Sequence, residues 1–170
     1  VDTCYLFHSF NAFEDDQGRV TIEACRYPSL WATGTDDLAD PAPQWQWVLD
    51  PATGRSSESQ LTELGTEFPM IDLRKQGVEQ RYNFALQQKP GGPDYPVHPY
   101  GICRYDRVTG QTDAWDAKYA IQPDEALFVP GSENAGEGEG WLLSMVYDRR
   151  EDRSDVVILD ATKIADGPIA

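Results

Sequence analysis

Apolar and polar residues alternate with a period of two along most of this chain, which is the strand period. Val20-Thr21-Ile22-Glu23-Ala24-Cys25-Arg26-Tyr27 alternates and follows the turn residues Asp15-Asp16-Gln17-Gly18. Trp45-Gln46-Trp47-Val48-Leu49 runs into Asp50-Pro51-Ala52-Thr53-Gly54, and further strands are predicted at 81–85, 101–105, 126–129, 141–146 and 155–159. Capped helical patterns are scarce; residues 61–64 and 72–76 could each make one turn. Segments 91–99 and 131–140, rich in Gly and Pro or Gly and Glu, read as loops. The pattern predicts an all-β chain.

A repeat lies inside that pattern. Leu49-Asp50-Pro51-Ala52-Thr53-Gly54, Tyr105-Asp106-Arg107-Val108-Thr109-Gly110 and Leu159-Asp160-Ala161-Thr162-Lys163 each end a strand with an Asp-led turn. The carboxylate can cap nearby backbone amides, and Gly can take positive φ. The three aspartates are spaced 56 and 54 residues apart, a period that suits one four-stranded blade of a β-propeller. Three such turns imply about three blades, too few to close a ring. A β-sandwich with coincidental turns is the alternative.

Composition narrows the function classes. The 40% hydrophobic fraction and the 5 Trp, 8 Tyr and 6 Phe exclude a disordered chain. A net charge of −15 repels phosphate backbones, so nucleic acid is not an expected partner, and an anionic membrane surface offers no attraction. Cys4, Cys25 and Cys103 fit no metal or redox spacing and read as small hydrophobes in a reducing compartment. No apolar run is long enough to span a membrane and no export signal is visible, which suggests a cytoplasmic protein, free or peripheral to a membrane. The chain opens without methionine, directly into Tyr5-Leu6-Phe7, and closes at Ala170 after a strand-and-turn pattern. One region, 1–170, of a longer protein is expected.

Few side chains could carry chemistry. His8 lies in the aromatic strand Leu6-Phe7-His8-Ser9-Phe10, and His98 sits between Val97 and Pro99 in a proline-rich loop. By itself, His8 reads as a core histidine or a ligand, and His98 as a loop residue. Glu67 precedes Phe68-Pro69-Met70-Ile71, and Glu125 precedes Ala126-Leu127-Phe128-Val129. A carboxylate at the mouth of an apolar strand needs exposure or a partner. The pair could be solvent-exposed, or could accept N–H bonds from metal-bound imidazoles. No phosphate loop, dinucleotide fingerprint or nucleophile elbow is present.

The stretch Phe7-His8-x-x-Asn11-Ala12-Phe13-Glu14 resembles the segment bearing the third iron histidine of carotenoid cleavage dioxygenases. In the same order follow Glu67-Phe68-Pro69-x-Ile71-Asp72, Gly101-x-Cys103-Arg104-Tyr105-Asp106-x-x-Thr109-Gly110 and Pro123-Asp124-Glu125-Ala126-Leu127-Phe128-Val129-Pro130. Gly140-Trp141-Leu142-Leu143-Ser144 and Val157-Ile158-Leu159-Asp160-Ala161-Thr162 complete the likeness from end to end. The resemblance implies about three blades of a seven-bladed propeller that holds Fe(II) on its axis with four histidines. It makes His8 one ligand, Glu67 the carboxylate supporting that ligand, and Glu125 the carboxylate supporting the last one, with the other three ligands outside this chain. A proline commonly follows the last glutamate in the family, where this chain has Ala126.

The implied reaction is O2-dependent cleavage of a conjugated C=C bond in a carotenoid, apocarotenoid or stilbene-type substrate, giving two carbonyl products. The 170 residues alone are expected to be inactive, with one ligand of four. Two other classes remain: a metal-independent propeller glycosidase using Glu67 and Glu125, and a non-catalytic propeller interaction module. Exposed strand edges favour self-association, while membrane docking is left open by this stretch. The iron reading requires the His8 ring to point inward with Glu67 behind it.

Overall fold

A computed structural model describes residues 1–29, 41–92, 95–117 and 121–170, without the side chains of 89–99. The strands are β1 (Tyr5–Glu14), β2 (Val20–Tyr27), β3 (Pro43–Asp50), β4 (Arg55–Met70), β5 (Tyr82–Gly92), β6 (Tyr95–Asp106), β7 (Gln111–Asp116), β8 (Ile121–Pro130), β9 (Gly140–Asp148) and β10 (Arg153–Asp160). Each pairs antiparallel with its sequence neighbour, in the orders β1 through β7 and β8-β9-β10. β4 belongs to two sheets. Its first part, with Arg55 opposite Asp50 and Gln60 opposite Trp45, closes the first sheet on β3. Its last part, with Thr66 opposite Gln87 and Met70 opposite Phe84, opens the second sheet on β5.

Three up-and-down sheets result: β1–β4, the end of β4 with β5–β7, and β8–β10. Their first strands lie side by side, β1 against β4 and β4 against β8, as the inner strands of successive propeller blades do. Residues 169 and 170 lie along the third blade's outer edge, where Ile169 N donates to Ile158 O and Ile158 N to Ala170 O, both at 2.8 Å.

The cores sit between the blades. Period-two alternation in β5 and β6 sends Phe84, Leu86 and Ile102 toward the third blade, where they bury with Ala126, Phe128, Leu142 and Leu159. Phe84 and Phe128 stack with centroids 5.3 Å apart. The opposite face sends Ala85 and Cys103 toward the first blade, against Phe10, Cys25, Tyr27 and Ala42. Burying such faces at roughly 1.5–3 kcal/mol per large side chain is what holds the blades together.

The repeated turns behave as their sequence predicts. Asp50 Oδ1 accepts the amides of Ala52 and Thr53 at 3.0 and 3.2 Å, Asp106 Oδ1 those of Val108 and Thr109 at 2.9 and 3.3 Å, and Asp160 Oδ1 that of Thr162 at 2.8 Å. Gly54 and Gly110 follow with φ of 69° and 70°, a region costing other residues about 1–2 kcal/mol.

Two expectations are corrected. Residues 61–64 are strand, inside β4, in the stretch where its pairing passes from β3, regular as far as Gln60, to β5, from Thr66, and no apolar helical stripe competes. The segment 91–99 is no simple loop: β5 and β6 extend into it as a long hairpin, with Gly92 opposite Tyr95 and Lys89 opposite His98. His98 is therefore on a strand, and its side chain lies outside the described residues. The segment 131–140 is a loop as expected, and its Glu137 Oε1 accepts the amides of Arg81 and Tyr82 at 2.5 and 2.9 Å. The turn at 72–76 does form, as a 3-10 turn over Leu73–Lys75 capped by Asp72.

Candidate metal centre

Each of the three inner strands carries a β-bulge of two residues opposite one. Phe7 and His8 face Cys25, Phe68 and Pro69 face Ala85, and Asp124 and Glu125 face Met145. A bulge kinks its strand and re-aims side chains out of the alternating pattern, and bulges gather near functional sites. Here they lie at or directly beside His8, Glu67 and Glu125, so the residues singled out by sequence all come from the same level of adjacent strands.

His8 and Glu67 meet. His8 Nδ1 is 2.6 Å from Glu67 Oε2, and the side chains are 44% and 4% exposed. Glu67 Oε2 also accepts the Phe68 amide at 2.9 Å. In the tautomer that carries its proton on Nδ1, the ring donates to Glu67 and presents Nε2 as a lone-pair donor, the form in which imidazole binds a metal. A carboxylate behind the ring fixes that tautomer and orientation.

The surroundings are apolar and crowded. The Phe68 ring lies 5.1 Å from His8, centroid to centroid, and its backbone takes φ of 51°. That left-handed kink turns the Phe68 amide back onto the carboxylate and its ring onto the imidazole. Behind Glu67 lie Thr66 and Cys25, with Oγ1 and Sγ 3.6 Å apart. Burial, then the Glu67 charge, push the Cys25 thiol well above its ordinary range, so it stays a protonated, inert thiol. All three cysteines are free.

Glu125 is not brought to His8. It is exposed on the β8 bulge, its own amide donating to Asp124 Oδ1 at 2.8 Å. An open depression of about 390 Å³ separates the β4 and β8 bulges, lined by Phe68, Leu86, Pro123, Asp124, Met145 and Tyr147 among others. Among the described residues, no three His, Cys, Asp or Glu side chains gather to hold a metal, so His8 stands as a single donor. The paired-carboxylate alternative loses its first member, since Glu67 is buried and engaged by two donors.

A second cluster was not foreseen from sequence. Glu23, fully buried on β2, meets Arg107 Nε at 2.5 Å and accepts from Gln80 and Asn83 at 2.9 Å each. Asn11 joins from β1, donating to Gln80 Oε1 at 2.8 Å. Burial raises the Glu23 carboxyl above its ordinary value, against the pull of Arg107. The one sequence signal was a glutamate in the middle of an otherwise core-forming strand. The cluster ties the first two blades together below the His8 site.

The family model described as retinal pigment epithelial membrane protein matches residues 1–170. The apocarotenoid-15,15'-oxygenase of Synechocystis sp. is 28% identical over the whole chain, which spans 36% of that protein. The lignostilbene-alpha,beta-dioxygenase isozyme III of Sphingomonas paucimobilis is 28% identical over 98% of the chain and 38% of its own length. The cobalt-substituted crystal structure of the Synechocystis oxygenase superposes on 99% of the chain with a TM-score of 0.85 and 26% identity, using 36% of that structure. The chain thus spans just over a third of these relatives. It belongs to the carotenoid cleavage dioxygenase family, and its sheets are blades of that family's seven-bladed propeller.

Proposed function

We propose that this chain contributes one iron ligand, His8, to a non-haem Fe(II) dioxygenase that cleaves a conjugated C=C bond with O2 to give two carbonyl products. One observation carries the reading: a buried carboxylate, Glu67, seated 2.6 Å behind a half-exposed imidazole whose opposite nitrogen is left for a ligand. Relatives named for apocarotenoid and lignostilbene cleavage support the reaction class, and a cobalt-substituted relative supports a metal.

The donor set suits a ferrous ion. Neutral imidazoles leave the metal its full charge, and a set of them with open positions is a known arrangement for O2 chemistry. When bound, the iron supplies the redox chemistry with O2; both oxygen atoms enter the products as the C=C bond breaks. Glu67 holds the Nδ1 proton and the ring plane. Phe7 and Phe68 flank the imidazole, with ring centroids 6.2 and 5.1 Å from it. Glu125 supports an imidazole supplied by another part of the protein, and the depression beside Phe68 forms part of the wall for an apolar, conjugated substrate.

In the full-length protein, His8→Ala is expected to lose iron, measured by metal analysis, and to abolish cleavage of apocarotenal and stilbene probes. The 170 residues alone, assayed in parallel, are expected to cleave neither probe. Retained iron and activity in His8→Ala defeats the reading. A single equivalent of iron with activity in the isolated chain defeats the single-ligand assignment.

A further inference from the structure

Glu67 uses only one of its two oxygens in the contacts described so far. Oε1 is buried without a hydrogen-bond partner, and so is Oε1 of Gln88 on the neighbouring strand β5. A carboxylate held in an apolar setting with one oxygen unmatched is costly, about 1–3 kcal/mol and more for a charged group. The nearest remedy is Tyr27. This residue, 2% exposed at the end of β2, packs its ring edge-on to Phe7 with centroids 5.5 Å apart. Its hydroxyl lies beside both Glu67 and Gln88, and burial together with the Glu67 charge pushes the phenol well above its ordinary value. The phenol therefore keeps its proton and can donate it. Gln88 also carries amide N–H groups that can donate to the phenol oxygen, whereas Glu67 Oε1 can only accept, and a hydrogen bond to an anion is roughly twice as strong as a neutral one.

We infer that Tyr27 is a positioning residue for the metal centre: its hydroxyl donates to Glu67 Oε1 and so holds the carboxylate in the rotamer that grips His8 Nδ1. The inference rests on the assignment of His8 as a ligand. Tyr27 touches neither metal nor substrate; it acts through Glu67. With that donor gone, the carboxylate swings or draws the Nδ1 proton more strongly, and the imidazole is presented less firmly. Partners that orient a metal-bound histidine are typically worth 10–100-fold in metal affinity. One step further out, Tyr27→Phe is expected to cost about three- to tenfold.

The test uses Co(II) as probe in the full-length protein, with affinities from chelator competition and folding checked by circular dichroism. Glu67→Gln is expected to lose roughly 10–100-fold. The double variant Tyr27→Phe/Glu67→Gln is expected to bind no worse than Glu67→Gln alone, because Tyr27 works through that carboxylate. A purely packing role would give additive losses, and additivity overturns the inference, as does wild-type affinity in Tyr27→Phe. His8→Ala separates the two levels: a large loss there with none in Tyr27→Phe rejects the inference and leaves the ligand in place, whereas no loss in His8→Ala rejects both. Should Tyr27→Phe fail to fold, the Tyr27 Cζ resonance is followed on replacing Glu67 by Gln. A shift toward a weaker donated hydrogen bond supports the inference, and an unmoved resonance overturns it.

Discussion

Phe68 holds φ at 51° within a strand, and among the described residues Asp152, in a turn, is the one other non-glycine residue with positive φ. That conformation costs an L-residue about 1–2 kcal/mol, and it persists because two contacts depend on it: the Phe68 amide on Glu67 and the Phe68 ring on His8. Strain of this kind concentrates at functional sites. The cost can be isolated by comparing two variants that both delete the ring. Phe68→Gly is expected to be more stable than Phe68→Ala by about 1 kcal/mol, read from chemical denaturation. Equal stabilities would mean that the backbone relaxes out of this region once the ring is gone. At this scale the sequence was readable only where side-chain chemistry is unusual. A lone histidine among aromatics and a glutamate before Phe68-Pro69 stood out, and the structure pairs them. The kink at Phe68 did not stand out, because the residue type that usually marks positive φ is glycine.

Blade one meets blade two through strands that face each other with mixed chemistry. Near His8 the contact is apolar, built on Phe10, Cys25, Tyr27, Ala85 and Cys103. Lower down it becomes the Glu23 cluster, in which Arg107, extending from the turn after β6, supplies the only cation among the described residues that is bonded to a carboxylate with no exposure at all. Removing one member of a buried pair leaves the other charge uncompensated, typically at about 3–5 kcal/mol. Arg107→Met is therefore expected to destabilise by that amount in urea denaturation, whereas Arg153→Met, which breaks an exposed pair with Asp155, should change little. Similar small effects from both would show that the cluster opens to water. The elements themselves were mostly legible. Period-two runs found β2, β3, β5, β6, β8, β9 and β10, and the Asp-led turns gave the blade spacing. The first part of β4 and all of β7 were missed because Arg55-Ser56-Ser57-Glu58-Ser59-Gln60 and Gln111-Thr112-Asp113 carry too few apolar residues to alternate visibly. They are strands because neighbouring strands pair with them, which is a property of the sheet rather than of the segment. Bulges escape a sequence reading for the same reason, since a two-against-one register exists only between strands.

Across the whole chain, acidity works in two opposed directions. The turn aspartates are held as anions. Arg81, at 2.7 Å, and the turn amides keep the Asp106 carboxyl far below its ordinary range, and Arg150 with its own amide holds Asp148 at about 2. Thr53 and Thr162 do the same more gently for Asp50 and Asp160. A carboxyl depressed in the fold contributes stability that is present above its unfolded value, roughly 3.9, and is lost as pH falls toward the folded value. For Asp148 that window runs from about 4 down to about 2. Glu23 has the reverse sign. Its carboxyl is raised by burial, so its contribution is present when protonated and is lost as pH rises through that raised value. The net charge of −15 at pH 7 adds self-repulsion that also eases on mild acidification. Melting temperature is accordingly expected to peak at mildly acid pH, to fall steeply below about pH 4, and at pH 7 to rise with added salt as the repulsion is screened. Thermal melts from pH 2.5 to 8 at low and high ionic strength check this. Asp148→Asn, which cannot titrate, should melt lower than the wild type at pH 7 and show a smaller drop between pH 4 and 2.5. A melting temperature that stays flat across that acid window would mean the capped turns contribute nothing through their charge, leaving the blades to be held by their apolar faces alone.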